Sequence, residues 1–285
     1  MKVLILGSTG LIGHQIHNYL DSLNIYNLYN IANKRKLNKN TINIDARIES
    51  DLFSAIKRIE PNIIINCIGV LISESEQNLI NAISLNAYLP NALFKLCEKL
   101  NSKLIHISTD CVFSGEKQTP YVENDYKDGF SLYAKTKGLG EIIEQNHLTI
   151  RTSVVGPELK PDGEELFHWF MQQSGEIKGY KKSVWSGVTT IELAKAVDFF
   201  IKNNINGLYH FTNNDHITKY ELLKLFKRYI NKNVKIIAVD GTVTNKSFKD
   251  TRLLIDYEIP SYEKMIEEMT KQILEDKEMY KQYHI

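Results

Sequence analysis

The sequence predicts an α/β fold, a doubly wound and mostly parallel sheet wrapped by helices, with a smaller C-terminal lobe. Three observations carry this. Short β-branched runs alternate with longer amphipathic segments through the first half of the 285 residues, the rhythm of strands joined by crossover helices. A glycine-rich turn joins the first such run to the first amphipathic segment. After Arg151 the rhythm breaks, and Gly156-Pro157, Pro161-Asp162-Gly163 and Gly175 punctuate a segment bearing Phe167, Trp169 and Phe170.

In chain order, strands are expected over Val3–Leu6, Tyr26–Ala32, Thr41–Ile44, Ile63–Asn66, Leu104–Ser108 and Leu148–Arg151, where apolar and β-branched residues cluster in short runs. Apolar residues at helical spacing predict helices over Leu11–Leu23, Leu52–Ile59, Leu79–Leu100 and Ser131–Glu144. Thr190–Asn203 reads as a further helix and Gly207–Phe211 as a strand returning to the main sheet. The expected division is therefore a cofactor domain over 1–156, joined again by 184–212, with 157–183 and 213–285 forming the substrate lobe. Near the end, Tyr262, Met265, Ile266, Met269 and Ile273 recur at helical spacing and predict a packing helix.

Lys and Arg number 35 against 34 Asp and Glu, a formal charge of +1, so nothing recommends nucleic acid or an anionic membrane as partner. Cys67, Cys97 and Cys111 are widely spaced and suggest neither a disulfide framework nor a zinc site. A reducing cytoplasm is the expected compartment. The first strand begins too early for a signal peptide, and no apolar run approaches the ~20 residues a membrane helix needs. His-Glu-x-x-His and Gly-x-Ser-x-Gly are both absent, so metalloprotease and serine hydrolase chemistry gain no support, and no metal is expected.

Gly7-Ser-Thr9-Gly10-Leu11-Ile12-Gly13 lies between the first strand and first helix. There, missing side chains let backbone amides and a helix N-terminus approach a pyrophosphate, as in a Rossmann-type domain. The spacing is Gly-x-x-Gly-x-x-Gly. About 20 residues on, where an NAD-binding domain offers a carboxylate to the ribose, no acidic residue occurs between Ser22 and Ile44. Asn33, Lys34, Arg35 and Lys36 follow instead, cations suited to a 2′-phosphate. NADP(H) is the expected cofactor.

Tyr133-Ala-Lys-Thr-Lys137 opens a predicted helix, and the spacing of four sets phenol and ammonium on one face, with Cβ atoms about 5–6 Å apart. A nearby cation and the positive helix terminus make a phenol a stronger acid, so Tyr133 is placed to protonate a carbonyl oxygen. Thr109 ends the preceding strand at the carboxyl edge of the sheet, where open α/β folds bind ligands, and can donate to the same oxygen. Asn86 interrupts an apolar helix and is a candidate for holding a relay water. His106 reads as a satisfied core histidine.

Together these residues resemble the extended short-chain dehydrogenase/reductases, and within them the dTDP-4-dehydrorhamnose reductase type of sugar-nucleotide enzyme. The resemblance spans nearly the whole chain through the glycine loop, Asn66-Cys67-Ile68-Gly69, Ser108-Thr109-Asp110-Cys111-Val112-Phe113-Ser114-Gly115, Tyr133 to Lys137, Arg151-Thr152-Ser153 and Ser186-Gly187-Val188-Thr189-Thr190. It implies reduction of a 4-keto sugar, with Thr109, Tyr133 and Lys137 as catalytic triad, Asn86 supporting a relay and Lys137 also holding the nicotinamide ribose. Asp45, Cys67, Ile68 and Gly69 join the expected cofactor contacts. Asp110, Cys111, Val112, Ser153, Val154, Trp185, Lys246 and Arg252 join the expected substrate contacts, with Lys178, Lys181 and Lys182 as further phosphate candidates.

Two departures shape the expectation. Relatives acting on the dTDP-rhamnose precursor usually carry tryptophan after Arg-Thr-Ser, where this chain has Val154. With Phe167-His168-Trp169-Phe170 and Trp185-Ser186-Gly187 downstream, this version looks more like relatives that handle UDP-linked 2-acetamido-2,6-dideoxy sugars. Cys111 stands where the 4,6-dehydratases carry glutamate, which argues against dehydration. The alternatives are an epimerase retaining its cofactor and a non-catalytic regulatory subunit, since a relative of this type modulates methionine adenosyltransferase. A homodimer stays open.

Overall fold

The computed structural model describes residues 1–252 and 256–284. The chain begins with β1 (Lys2–Leu6), α1 (Leu11–Ser22), β2 (Asn27–Ala32), β3 (Ile42–Asn43), α2 (Glu49–Ile59) and β4 (Ile63–Asn66). Next come α3 (Ile72–Gln77), α4 (Leu79–Ala82), a π-helical turn (Ile83–Tyr88), α5 (Leu89–Leu100), β5 (Lys103–Thr109), a 3-10 turn (Asp110–Val112), α6 (Leu132–Leu139) and β6 (Leu148–Thr152). Then follow β7 (Val154–Val155), α7 (Leu166–Gln172), β8 (Gly175–Tyr180), β9 (Ser183–Trp185), β10 (Val188–Thr189), α8 (Thr190–Lys202) and β11 (Gly207–His210). β12 (Ile217–Thr218), α9 (Lys219–Ile230), β13 (Val234–Val239), β14 (Thr244–Asn245) and α10 (Tyr262–Glu275) complete the regular elements.

A seven-stranded sheet runs in the order β11-β6-β5-β4-β1-β2-β3. Leu4 stands opposite Ile64 of β4 and Tyr29 of β2, both in parallel register, and β4 pairs β5 in the same sense. The strand order reverses at β1, so the crevice beyond the carboxyl ends of β1 and β4 is the topological switch point where such sheets bind ligands. Leu4, Leu6, Ile31, Ile64 and Leu104 from the strands meet Leu52, Ile56, Leu93 and Cys97 from the helices in one buried cluster. Each such aliphatic side chain contributes about 1.5–3 kcal/mol on burial, which fixes the face each helix presents.

Contacts divide the chain into two compact units. The first comprises 1–113, 126–151 and 194–209, and the second 114–125, 152–193 and 210–285. The expected boundary at 156/157 thus falls at 151/152, segment 114–125 groups with the second unit, and the returning stretch is 194–209. Within the second unit β8 pairs β13 in parallel, β9 lies between β12 and β14, and β7 pairs β10. Thr218 and Glu221 form a capping box on α9, worth about 1 kcal/mol. Tyr262, Met265, Ile266, Met269 and Ile273 of α10 are all buried, as a packing helix requires. Among the described residues the three cysteines are free thiols, and no helix is long and apolar enough to cross a membrane.

Two expected helices differ in form. The one over 79–100 is continuous but contains the π-turn, because Pro90 lacks the N–H that would bond the Asn86 carbonyl. The one over 131–144 stops at Leu139. A Cβ at Gly140 would lie 2.0 Å from the Asn86 carbonyl oxygen, so only glycine lets the two segments pack. Beyond it, Ile142 N–H donates to Thr149 Oγ1 and Thr149 Oγ1 donates to the Ile142 carbonyl, tying the chain to β6. Elsewhere the helix expected from Leu52 already begins at Glu49, and the strand expected over 41–44 shortens to two residues.

Candidate functional site

The glycine loop lies at the switch point. Gly7 adopts φ +80°, and its N–H and that of Ser8 both donate to the Ile31 carbonyl of β2. A Cβ at Gly13 would lie 2.2 Å from the Gly7 carbonyl oxygen, and one at Gly7 would lie 3.2 Å from the Cys67 main chain. Gly7 thus packs against Cys67 just beyond β4, and Gly10 and Gly13 close the turn against Gly7, with Thr9, Leu11 and Ile12 between them in the chain. Helix α1 has no side-chain cap at Gly10 and no acidic residue in its first turn, so its N-terminal amides and dipole suit an anion. His14 bonds the Gly10 carbonyl, and burial pulls its pKa down to about 4, so it adds no charge there.

Beyond β2, Asn33, Lys34 and Arg35 are exposed, and Asn43 Nδ2 donates to the Asn33 and Arg35 carbonyls, holding this basic loop to β3. Asp45 is bound by Arg47 Nε at 2.9 Å, and that hydrogen bond lowers its pKa.

The loop after β4, the π-turn and α6 converge on Gly69, where a Cβ would lie 3.1 Å from Asn86 Oδ1 and 3.9 Å from Lys137 Nζ. Asn86 is fully buried. Its Oδ1 accepts from Val70 N–H at 2.9 Å, while Nδ2 donates to the Val70 carbonyl at 3.1 Å and to Thr136 Oγ1 at 3.3 Å. The amide thus locks the loop and α6 together, and both its N–H groups are used.

Lys137 is buried and donates from Nζ to the Ile107 carbonyl at 2.7 Å. Burial pulls its pKa down to about 8 against the opposing charge of Glu141. Ser131 caps α6 through the Ala134 N–H, which sets Tyr133 in the first turn, at the positive end of the dipole. Cys67, half-buried beside this cation, has its thiol pushed up to about 12 by desolvation and stays neutral. His106 accepts from Asn66 Nδ2 at 3.1 Å, and burial with the Lys137 charge lowers its pKa well below 6.5. Among the described residues its Nε2 has no hydrogen-bond partner, so it is only half satisfied there, unlike the expected core histidine.

Thr109 Oγ1 accepts from Cys111 N–H and donates to Asp110 Oδ1 at 3.1 Å. Its donor hydrogen must turn from Asp110 to serve a ligand. Val112 is buried, and its carbonyl accepts from Gly129 N–H, which seats the segment before α6.

In the second unit, Trp185 is 8% exposed and its indole N–H donates to Ser153 Oγ at 2.9 Å. It therefore supports Ser153 more than it offers a surface. Val154 pairs Val188. Lys246 and Arg252 flank a segment anchored by Tyr121 N–H to the Ser247 carbonyl and by Thr251 Oγ1 to Glu123. Lys181 and Lys182 pair with Asp240, whereas Lys178 is exposed.

Sequence reasoning missed Glu141. Its carboxylate takes Arg151 Nε at 2.7 Å, Arg151 Nη2 at 2.8 Å and Ser108 Oγ at 2.7 Å. Its place four residues beyond Lys137 was the available signal.

Residues 1–249 match the RmlD substrate binding domain family. The chain is 23% identical over 235 residues to dTDP-4-keto-6-deoxy-D-glucose reductase of Streptomyces niveus, covering 80% of this chain and 78% of that protein. It is 26% identical over 235 residues to methionine adenosyltransferase 2 subunit beta of Pongo abelii, covering 78% and 70%. The crystal structure of dTDP-4-dehydrorhamnose reductase from Bacillus anthracis in complex with NADP superposes with TM-score 0.82 at 22% identity, covering 95% of this chain and 99% of that one. That likeness shows the shared fold. With its parallel Rossmann-type sheet and a match over most of its length, the chain belongs to the RmlD substrate binding domain family.

Proposed function

We propose that this chain is an NADPH-dependent reductase of the C4 ketone of a nucleotide-diphosphate-linked 6-deoxyhexos-4-ulose, preferring a UDP-linked 2-acetamido sugar. The observation that carries the reading is the convergence of Asn86 and the buried Lys137 on Gly69, next to a glycine loop that only Gly13 lets close. The loop and the uncapped α1 terminus fit a pyrophosphate, and Lys34 and Arg35 fit a 2′-phosphate. Val154 in place of tryptophan supports the UDP preference.

When bound, NADPH supplies the hydride that reduces C4. Tyr133 donates its phenolic proton to O4, and Thr109 hydrogen-bonds the same oxygen. Lys137 stabilises the phenolate that remains and holds the nicotinamide ribose. Asn86 keeps Gly69 and Val70 seated against α6 through Val70 and Thr136. Ser153, Trp185, Lys246 and Arg252 belong to the sugar-nucleotide side of the reaction.

NADPH consumption is measured against a panel of dTDP- and UDP-linked 4-keto-6-deoxy sugars, with Tyr133→Phe as control. Turnover that Tyr133→Phe abolishes supports the reading, and no turnover on any member overturns it. The methionine adenosyltransferase relative favours a second reading, a non-catalytic regulatory subunit, which the latter outcome would support.

A further inference from the structure

Three consecutive residues of β5 each meet the catalytic apparatus proposed above. The Ile107 carbonyl takes the Lys137 ammonium, Ser108 Oγ donates to Glu141, and Thr109 ends the strand. Glu141 follows Tyr133 and Lys137 at intervals of four, but the chain has left α6 by then, and its side chain is 1% exposed. Its two oxygens receive Arg151 twice, Ser108 once and Lys127 at 3.1 Å. Lys127 also donates to the Gly138 carbonyl in the last turn of α6, and the Arg151 guanidinium lies 5.2 Å from the centre of the Phe113 ring.

We propose that Glu141 is a positioning residue for Tyr133 and Lys137, its carboxylate registering α6 on β5 through Ser108 and acting as counter-charge to the buried Lys137 ammonium.

The proposal rests on the reductase reading for its kinetic arm only. The geometry separates it from an ordinary stabilising ion pair. Pairing with Arg151 alone would hold β6, whereas the bond to Ser108 and the shared Lys127 bring the same carboxylate to the strand and helix that carry the three candidates. Charge balance points the same way. Arg151, Lys127 and Lys137 are three cations around one carboxylate, and the other titratable groups facing Lys137, Cys67 and His106, are neutral. Burial tends to raise the Glu141 pKa, but Arg151, Lys127 and Ser108 outweigh it and keep the group ionised. Removing this charge disfavours the protonated amine, so Lys137 loses its proton at lower pH.

The test compares Glu141→Gln and Ser108→Ala with the wild-type chain. Glu141→Gln is expected to lower kcat about tenfold and to move the alkaline limb of kcat/KM about one pH unit toward acid. Ser108→Ala keeps the ion pair and is expected to lower kcat about threefold with an unmoved limb and a Tm lowered by a few degrees. A folded Glu141→Gln whose limb stays in place overturns the counter-charge role. Should that variant not fold, Ser108→Ala decides, and wild-type kcat in it overturns the registering role. If the wild-type chain reduces no 4-keto sugar, the reaction assignment falls, and a ligand-free readout carries the test. The pH at which stability begins to rise, measured against Lys137→Met in both backgrounds, moves toward acid in Glu141→Gln if the proposal holds and stays put if it does not.

Discussion

Asn86 and Val70 exchange two hydrogen bonds, Val70 N–H donating to Oδ1 at 2.9 Å and Nδ2 donating to the Val70 carbonyl at 3.1 Å. The side chain thus takes the place of a neighbouring strand for a residue that has none. Asn86→Leu keeps the volume but strands two buried main-chain groups, each costing about 1–3 kcal/mol. Chemical denaturation should show a loss of about 2–6 kcal/mol in total, together with a fall in kcat because Gly69 beside Lys137 loses its support. A variant as stable and active as the wild type would remove Asn86 from the site.

Lys137 gives a pH signature with opposite signs in activity and stability. Its pKa of about 8 in the folded chain lies below the ordinary 10.5. Activity that needs the ammonium should fall as pH rises through about 8 in the free-enzyme profile of kcat/KM. Stability moves the other way, since between those two values the unfolded chain binds the proton and the folded chain does not. Relative to Lys137→Met, the wild-type chain should gain on the order of 3 kcal/mol over that window. Lys137→Met should also lose nearly all turnover. Parallel pH profiles for the two proteins would show that Lys137 does not titrate as argued.

What was legible in the sequence follows from length and periodicity. Ile63 to Asn66 is a fully buried central strand, and such a strand reads as a continuous apolar run. The glycine loop and the Tyr133–Lys137 spacing are local, so one sequence reveals them. The π-turn was not read although Pro90 marked it, because a proline deep in an apolar periodic stretch also fits an ordinary helix start. The early end of α6 was hidden because Gly140 is required by a distant carbonyl, that of Asn86. In the second unit β7, β9, β10, β12 and β14 are two or three residues long, too short to show an alternation. Glu141 was not singled out because the partner that gives it a role, Arg151, is supplied by β6.

Gly13 and Gly10 should respond differently to alanine. A Cβ at Gly13 meets the Gly7 carbonyl oxygen at 2.2 Å and its carbon at 2.8 Å, whereas one at Gly10 stands 3.3 Å from that oxygen. Both obstacles to the first are main chain, so the loop itself must move. Gly13→Ala should cost about 1–3 kcal/mol in stability and weaken NADPH binding by more than about tenfold, or ~1.4 kcal/mol. Gly10→Ala should bind within a few-fold of wild type. Calorimetric titration of both variants checks this, and equal affinities would show that the cofactor does not approach the loop at Gly13.

The basic loop after β2 carries the proposed preference for NADPH, which its charges can be used to test. Asn43 holds the Asn33 and Arg35 carbonyls at 3.2 and 3.1 Å, so the loop carrying Lys34 and Arg35 is shaped before any ligand arrives. A charge-assisted hydrogen bond to a phosphate contributes about 1.5–3 kcal/mol. Lys34→Ala and Arg35→Ala should each raise KM for NADPH by about tenfold or more while leaving KM for NADH unchanged. Asn43→Ala, which touches no charge, should raise KM for NADPH by a smaller factor through loosening the loop. Asn33→Asp adds a carboxylate beside the basic residues and should shift preference toward NADH, since it accepts from ribose hydroxyls and repels a 2′-phosphate. Steady-state kinetics with both cofactors on the four variants reads all of these, and a wild-type chain that prefers NADH would overturn the assignment to NADPH.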